Sequence, residues 1–529
     1  MKKKIEITGV ALILLLNLAL ALKNPIGMSV EQAEFGYAAY SLGKTDSPSL
    51  EMVLRDNGYR LFVVPLAVEA VWFKSFGTGE MQLRILGWLI QVGLVWGIYR
   101  LSRGEAVRSW WPVWIATTNP WLWYLSQFHL PEALTVAGMI GWLLARQAKI
   151  GWWLAILLSS PTGLITASAI WLWETGKLLR IKRFTPVVVR LAVGAGIVAV
   201  VLLPNRGYLA KYFEPTLAAK IRPAQLAAQV NETQKLLFVA SDKKFMLPAG
   251  IRKIMYNKPG FMVQAVLSKA VSLVDFEQWT APLAAWVITG LSGLPPKGHP
   301  ALIYAWDVPV LIYGWWLLRK RFKEEKFLIP AMSAMAGAMM LEKKFFHLGA
   351  ATGLLLIIPG IAQTLTKLKG KIAIIAVTLL YLSGWWHFGR QMWYRPFEYR
   401  RSDAYLFREM YIRTEAIKNN FSEITVTDKF GPSPLMFAFY GRWDPKNYWH
   451  KKQANDTWYR DHLQFRSFDL TEENIPAGSA WLGLPGEFAG PSDQVQDPGN
   501  WGTAKLTKVD TGEELVHRYG QGLWILENY

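Results

Sequence analysis

Long apolar runs that alternate with short basic turns constrain this chain more than any other feature. A helix needs about 20 apolar residues to cross a bilayer core of about 30 Å. The first such run follows three lysines at 2–4, and the run at 80–99 leads into Arg100, Arg103 and Arg108. Because every second turn is basic in this way, the positive-inside rule assigns those turns to the cytoplasm. The N-terminus is therefore predicted to be cytoplasmic and uncleaved, and the chain is predicted to end outside.

The pattern predicts about 11 membrane-spanning helices. The predicted spans are 5–22, 80–99, 110–124, 132–144, 152–160, 163–173, 187–203, 301–318, 327–341, 348–365 and 372–386. Two long segments between them, 23–79 and 204–300, are predicted outer loops of a membrane domain that covers 1–386. An apolar piece at 281–291 is too short to span and is read as re-entrant or interfacial.

Composition supports a membrane body with a sizeable aqueous part. The 529 residues are 52% hydrophobic and 18% charged, which is too apolar for one soluble domain and too charged for spans alone. The net charge of +19 is spread between apolar runs and not along one soluble face. We therefore predict membrane lipids and no nucleic acid as partners. The absence of cysteine excludes disulfides, thiolate metal sites and cysteine nucleophiles.

The polar segment 387–529 is predicted to be a small α/β domain on the outer face. Residues 404–419 and 434–440 have helical patterns. Residues 424–427, 479–482 and 523–526 are short runs typical of strands. The predicted fold class is therefore mainly α: a polytopic membrane protein with a small extracytoplasmic α/β domain.

The first outer loop begins with a predicted helix at 28–42. Ser29 is a candidate N-cap, and Gln32 lies three residues on, at the capping-box spacing. A semi-apolar stripe follows at helical spacing and suits a membrane surface; it consists of Val30, Ala33, Tyr37 and Tyr40. A second amphipathic stretch, 59–76, is predicted to be broken by Pro65 and to end at Gly77.

Two acids on this first helix are the leading catalytic candidates. Glu31 and Glu34 are one turn apart, so both carboxylates leave the same side of the helix. A carboxylate at the membrane boundary, beside an apolar face, suits a general base for a lipid-linked substrate. The alternative is structural, since acids in a first helical turn stabilise the macrodipole by about 0.3–1 kcal/mol each.

Several stretches together resemble a known family. Residues 29–42 (SVEQAEFGYAAYSL), 73–84 (FKSFGTGEMQLR) and 119–126 (NPWLWYLS), with shorter matches at 275–277 and 302–309, are similar to the polyprenyl-phosphate-dependent glycosyltransferases of the GT-C fold. Within that class the chain looks most like bacterial relatives of protein O-mannosyltransferases and of the lipid A aminoarabinose transferase. The family's Asp-Glu-Ala motif is matched with Glu31 in the Asp position and Gln32 in the Glu position. Gln127 stands where the family usually has Arg. The resemblance covers roughly 24–386.

The resemblance implies a membrane enzyme of the plasma (inner) membrane. Its reaction would move a sugar from a polyprenyl-phosphate-linked donor to a hydroxyl or amine of a protein, lipid or glycan acceptor, with inversion. Glu31, or Glu34 in its place, would be the base. No cofactor is implied, and no His/Asp cluster has clear metal-ligand spacing; a divalent ion has no support in the sequence.

Cations at the outer boundary are candidates for holding the lipid phosphate, since a phosphate leaving group needs positive charge where negative charge develops. They are Arg55, Arg60, Arg84, Lys343 and Lys344, with His347 one turn past Lys343. For any one of them alone an interfacial anchor is the favoured explanation, and the pair Lys343 and Lys344 is the better phosphate candidate because it breaks the positive-inside pattern. Glu132 is either a helix-start acid or a second acid in the cavity, and Asp307, inside an apolar span, is expected to face protein or water.

Two other classes stay open. A transporter or flippase of lipid-linked saccharides would place polar groups at mid-depth of the membrane. A non-catalytic GT-C relative would use its outer domain for binding, and Gln32 in place of the motif's acid keeps that alternative open.

Overall fold

The architecture comes from a computed structural model of the chain. It describes residues 2–23, 28, 30–44, 63–104, 110–145, 149–180, 188, 192, 196, 310, 313, 316, 358–359, 361–368, 370–394, 402–429, 433–454, 458–460, 462–468, 476–483, 487, 505–508 and 524–528.

The apolar part of the described chain is helical. Its helices are α1 Lys2–Lys23, α2 Val30–Gly43, α3 Val63–Phe76, α4 Glu80–Gly104, α5 Trp111–Thr118, α6 Pro120–Phe128, α7 Leu130–Leu144, α8 Lys149–Leu157, α9 Pro161–Arg180 and α10 Lys371–Tyr394. The prediction of a mainly helical chain with a small sheet is confirmed.

Within the described residues, one helical segment, Glu80–Ser102, is long and apolar enough to cross a membrane. Shorter apolar helical segments occur at Thr8–Leu22, Leu130–Leu144 and Lys371–Trp386. The predicted span 327–341 lies outside the described residues, as do most of 187–203, 301–318 and 348–365 and the piece 281–291. The number of about 11 spans therefore stays a prediction.

The predicted span 110–124 is not one continuous helix, because the chain breaks at Asn119. Asn119 has an extended backbone (φ −75°, ψ 117°), as expected of a residue before proline. Its side-chain Oδ1 accepts a hydrogen bond from the N–H of Leu122 at 2.8 Å and so caps α6. Pro120 occupies the first helical position, where no backbone donor is needed. The segment therefore consists of two short helices, α5 and α6, where one helix was predicted.

A buried asparagine ties the helices of the apolar part together. Asn17 on α1 is 1% exposed. Its Nδ2 donates to the carbonyl of Thr117 at 3.2 Å, and its Oδ1 accepts from Trp385 Nε1 at 2.8 Å. Its own carbonyl accepts from Trp123 Nε1 at 3.2 Å. One residue therefore joins α1 to α5, α6 and α10 by hydrogen bonds that leave no polar group of its side chain unsatisfied.

The polar segment forms a six-stranded sheet with helices, in agreement with the predicted α/β character. The elements are α11 Ser402–Ile417, β1 Glu423–Val426, α12 Ser433–Tyr440, α13 Pro445–Gln453, β2 Trp458–Arg460, β3 Leu463–Phe465, β4 Ser479–Gly483, β5 Lys505–Lys508 and β6 Trp524–Asn528. The strand order is β2-β3-β1-β4-β6-β5. β1 runs parallel to both β3 and β4, and the other pairs are antiparallel. The predicted helices and the three predicted strands are confirmed, and the domain boundary at 387 stays a prediction.

The helix α2 packs on this sheet-containing part, which corrects its predicted place on a membrane surface. The Tyr37 hydroxyl donates to the carbonyl of Trp443 at 3.2 Å, and the Tyr37 ring meets that of Tyr448 edge-on at 4.8 Å. A Cβ on Gly36 would lie 2.7 Å from a ring carbon of Phe439. The tyrosines of the stripe are therefore covered by protein. An aromatic ring with a polar tip suits a contact between parts of a protein as well as a membrane interface.

The neighbouring helix α3 corrects the prediction for Pro65. Because α3 begins at Val63, Pro65 falls in the first helical turn, where its missing N–H breaks no helical hydrogen bond. The helix runs through to Phe76 and ends at Gly77, whose φ of +82° suits glycine. The end of this stretch is thus as predicted, and the break within it is wrong.

Candidate functional site

One backbone carbonyl joins, by hydrogen bonds, three segments that carry or directly follow the family resemblance. The carbonyl oxygen of Gln127 accepts a hydrogen bond from Gln32 Nε2 at 2.8 Å and from Arg84 Nη1 at 2.6 Å. Gln32 lies on α2, Arg84 on α4 and Gln127 in the last turn of α6. The helix α2, the start of the long apolar helix α4 and the end of α6 therefore meet at one point.

Helix geometry explains why these side chains converge there. The last four carbonyls of a helix have no partner within it, and Gln127 is one residue before the end of α6. Arginine and amide side chains satisfy such carbonyls, and a cation also complements the negative end of the helix dipole. Gln32 and Arg84 together cap the C-terminus of α6.

Arg84 is a buried cation that contacts an aromatic ring and a carboxylate. It is 2% exposed, and its guanidinium lies over the ring of Phe128 at 4.8 Å. Its Nη2 is 3.6 Å from Glu80 Oε1, one turn earlier on α4. The other oxygen of Glu80 is 3.7 Å from Arg408 Nε on α11. The side chains of Arg84, Glu80 and Arg408 thus form a row of alternating charges between the end of α6 and the sheet-containing part. The row carries one more positive charge than negative.

A glycine permits the close approach of α4 and α6 at this point. A Cβ on Gly87 would lie 2.4 Å from the carbonyl oxygen of Ser126 and 3.1 Å from Gln127 Nε2. Real Cβ atoms do not approach a backbone oxygen that closely, so any side chain at 87 would separate the helices. The sequence shows this glycine only as one of many in apolar runs, and nothing in it marks the contact.

Glutamate residues lie on the helices that neighbour the Arg84 contact. Glu34 is half-buried on α2, and Glu132, in the first turn of α7, is 6% exposed. Glu132 is thus an acid of the first helical turn, as one of its two interpretations expected, and its role as a second acid in the cavity stays a prediction. Glu31 belongs to α2, and its side chain lies outside the described residues. The helices α2, α3, α4 and α7 are connected by direct packing, since α3 contacts each of the other three.

A further acid, Glu69 on α3, was not singled out from the sequence. It is 4% exposed and shares the buried face of α3 with Leu66 and Phe73. Its Oε2 has no hydrogen-bond partner in the part of the chain that the structure describes. Burial raises the pKa of this carboxyl from 4.5 to about 8. The signal that could have identified it is a single acid at the centre of an otherwise apolar helical face.

Glu69 predicts a pH dependence of stability. Because its pKa is higher in the folded than in the unfolded chain, the folded state holds more protons between pH 4.5 and about 8. Stability should therefore fall as pH rises through that window and level off above it. We expect Glu69→Gln to gain stability relative to the parent as pH rises, seen as a widening difference in Tm between pH 5 and pH 9.

The matched control for this experiment is Glu409→Gln, which removes a partly exposed carboxylate from α11. Parallel pH profiles for the parent and Glu69→Gln would show that Glu69 is ionised in the folded chain and would contradict the prediction.

The other predicted site residues lie outside the described residues. They are Arg55, Arg60, Lys343, Lys344, His347 and Asp307. Of the cations predicted from the sequence, the described residues include Arg84. Within the same residues there is no group of three or more His, Asp or Glu side chains that could hold a metal ion.

The described residues therefore combine a buried positive charge on α4 with carboxyl groups on α2, α3 and α7, and α3 packs against the other three helices. Comparisons of the chain with protein-family models, with curated proteins and with solved structures found no match.

Proposed function

We propose that this chain is a membrane glycosyltransferase that moves a sugar from a polyprenyl-phosphate-linked donor to an acceptor hydroxyl or amine on the outer face. The observation that carries the proposal is the meeting of Gln32 and Arg84 at the carbonyl of Gln127. These residues lie 95 and 43 positions from Gln127 in the sequence. Each of the three residues belongs to, or directly follows, a stretch that resembles the family. Stretches that are distant in the sequence are therefore in contact at one place in the fold.

The proposed chemistry is a single displacement at the anomeric carbon. A carboxylate of α2, Glu31 or Glu34, takes the proton of the acceptor as its oxygen or nitrogen attacks. The bond from the anomeric carbon to the phosphate oxygen breaks on the opposite face, and the lipid phosphate leaves with the electron pair. The product therefore has the inverted configuration.

Positive charge near the leaving group stabilises the transition state, since the phosphate gains negative charge there. The buried charge of Arg84 acts at the junction of α4 and α6, where water does not screen it. Lys343, Lys344, Arg55 and Arg60 are the proposed direct phosphate ligands, with His347 beside them. Arginine can clamp phosphate oxygens in a bidentate manner, and lysine supplies a point charge.

The proposal includes the membrane arrangement predicted from the sequence. About 11 spans would place the basic turns in the cytoplasm and the sheet-containing part outside. The long apolar helix α4 and the shorter apolar helices are consistent with that arrangement. A binding site at mid-depth would favour a transporter, whereas the charged residues of this site, Arg84 and Glu80, lie in the first two turns of α4.

The test is a transfer assay with purified protein, radiolabelled polyprenyl-phosphate sugars and membrane extract as the source of acceptors. We expect label to move from the lipid to an acceptor, and not to do so in a Glu31→Gln, Glu34→Gln double variant. Label that crosses between leaflets of a vesicle while it stays on the lipid would show a flippase instead. Binding of the lipid without either event would show a non-catalytic binding protein.

A further inference from the structure

The carboxamide of Gln127 is a buried polar group without a hydrogen-bond partner among the described residues. Gln127 is 3% exposed, and neither its Oε1 nor its Nε2 makes a hydrogen bond within the described parts of the chain. Its backbone carbonyl, by contrast, accepts two hydrogen bonds. Burying an amide without a partner is costly, and the great majority of buried side-chain polar atoms are paired. This group therefore calls for an explanation beyond the packing of α6.

The helix α4 packs tightly against this carboxamide. Gly87 of α4 faces it without a side chain, and even a Cβ there would lie 3.1 Å from Nε2. Arg84, one turn before Gly87, is hydrogen-bonded to the backbone of the same residue at 2.6 Å. The residue that carries the carboxamide is therefore held, through its backbone, by the buried cation that the proposed function uses.

The chemistry of the group limits what it can bind. A carboxamide is uncharged and presents an acceptor and two donor hydrogens side by side. A hydroxyl group both donates and accepts, so sugar hydroxyls complement it, whereas a phosphate would leave the carboxamide oxygen unpaired. We propose that the Gln127 carboxamide binds a ring hydroxyl of the transferred sugar and so selects among sugar donors. This inference rests on the proposed function.

Such a residue is expected to contribute mainly to discrimination. A site built to hydrogen-bond a substrate hydroxyl rejects the analogue that lacks it by as much as about 10⁴–10⁵, because its own polar group is then left buried and unpaired. The parent should therefore prefer a hydroxylated donor strongly over the matching deoxy donor. Removing the carboxamide should reduce that preference.

The chain supplies a matched control in Gln91. This residue is 0% exposed, and both polar atoms of its side chain also lack partners among the described residues. It lies two turns beyond Arg84 on α4, away from the Gln127 carbonyl. Gln91→Met removes the same chemistry from the same kind of environment without touching the proposed sugar contact.

The experiment compares Gln127→Met and Gln91→Met with the parent protein, using polyprenyl-phosphate donors that differ by one sugar hydroxyl. Both donor binding and kcat/KM are measured for each donor. We expect the preference for the hydroxylated donor to fall at least 10²-fold in Gln127→Met and to remain in Gln91→Met. Gln127→Asn, which keeps the carboxamide on a shorter arm, should retain part of the preference if the methionine variant folds poorly.

The outcomes separate this inference from the proposed function. An unchanged preference in Gln127→Met, with normal turnover, would overturn the inference and leave the transferase intact. An equal loss in Gln91→Met would also overturn it, because the effect would then come from packing. A protein that binds the hydroxylated donor selectively through Gln127 but transfers no sugar would retain the inference and refute the transferase.

Discussion

Glu31→Gln is expected to lower turnover by roughly 10²–10⁴-fold while donor binding survives. Glutamine keeps the shape of the side chain and the start of α2 but removes the proton acceptor. Because the lost interaction belongs to the transition state, kcat and kcat/KM should fall together and the affinity for the lipid donor should stay. Steady-state transfer rates and direct donor binding, measured on the same purified variant, check this.

Two companion variants sharpen the assignment of the base. Glu31→Asp restores the residue that the resembled family usually has, and it should keep activity if α2 is placed as in those relatives. Glu34→Gln tests the second acid, one turn along the same helix. Normal turnover in Glu31→Gln with an inactive Glu34→Gln would move the base to Glu34, and full activity in both would remove α2 from the chemistry.

Arg84→Met is the second substitution with a large expected effect. It would leave Glu80 without its neighbour in α4 and leave the carbonyl of Gln127 with one donor fewer. Removing one partner of a buried ion pair costs about 3–5 kcal/mol when the other charge is left unpaired. Because Arg408 stays 3.7 Å from the other oxygen of Glu80, and the Glu80 side chain is 14% exposed, the cost here should be smaller. We expect a clear loss of thermal stability and a fall in turnover of about 10²-fold or more.

Arg84→Lys and Arg100→Met make this result interpretable. Lysine keeps the charge but not the planar fork, so recovery of turnover in Arg84→Lys would show that charge is what matters. Arg100 is an exposed arginine on the same helix, over the ring of Trp96 at 5.6 Å. Its replacement should change neither property appreciably, and an Arg84→Met variant as active as Arg100→Met would remove Arg84 from the site.

The elements with a strong local signal were predictable from the sequence. The helices α2 and α11, the strands β1 and β4 and the helix α12 agree with their predicted positions to within about two residues, because periodicity, capping residues and turn residues define them locally. The break at Asn119 was not predicted, since apolar residues continue on both sides and conceal the proline signal. The strands β2, β3 and β5 are only three or four residues long and depend on their sheet partners.

The site was predictable only in part. Arg84 was found because it stands at the start of an apolar run, where an arginine is conspicuous. Its contact with Gln127 depends on where α6 ends in space, which no local pattern contains. Glu69 was missed for the same reason: burial is a property of the packed helices, and the sequence gives only a charged residue on an amphipathic stretch. The tyrosines of α2 led to the prediction of a membrane contact, because lipid and protein can cover the same kind of aromatic stripe.

The contact between Tyr37 and Trp443 joins residues 406 positions apart. At a synthesis rate of 5–20 residues per second, α2 would emerge from the ribosome about 20–80 s before the segment that covers it. During that interval its small and aromatic face is open to other nascent chains and to premature partners. Correct packing of α2 should therefore benefit from an assisting factor that shields its face until the segment around Trp443 has been made, and slower translation should increase that need.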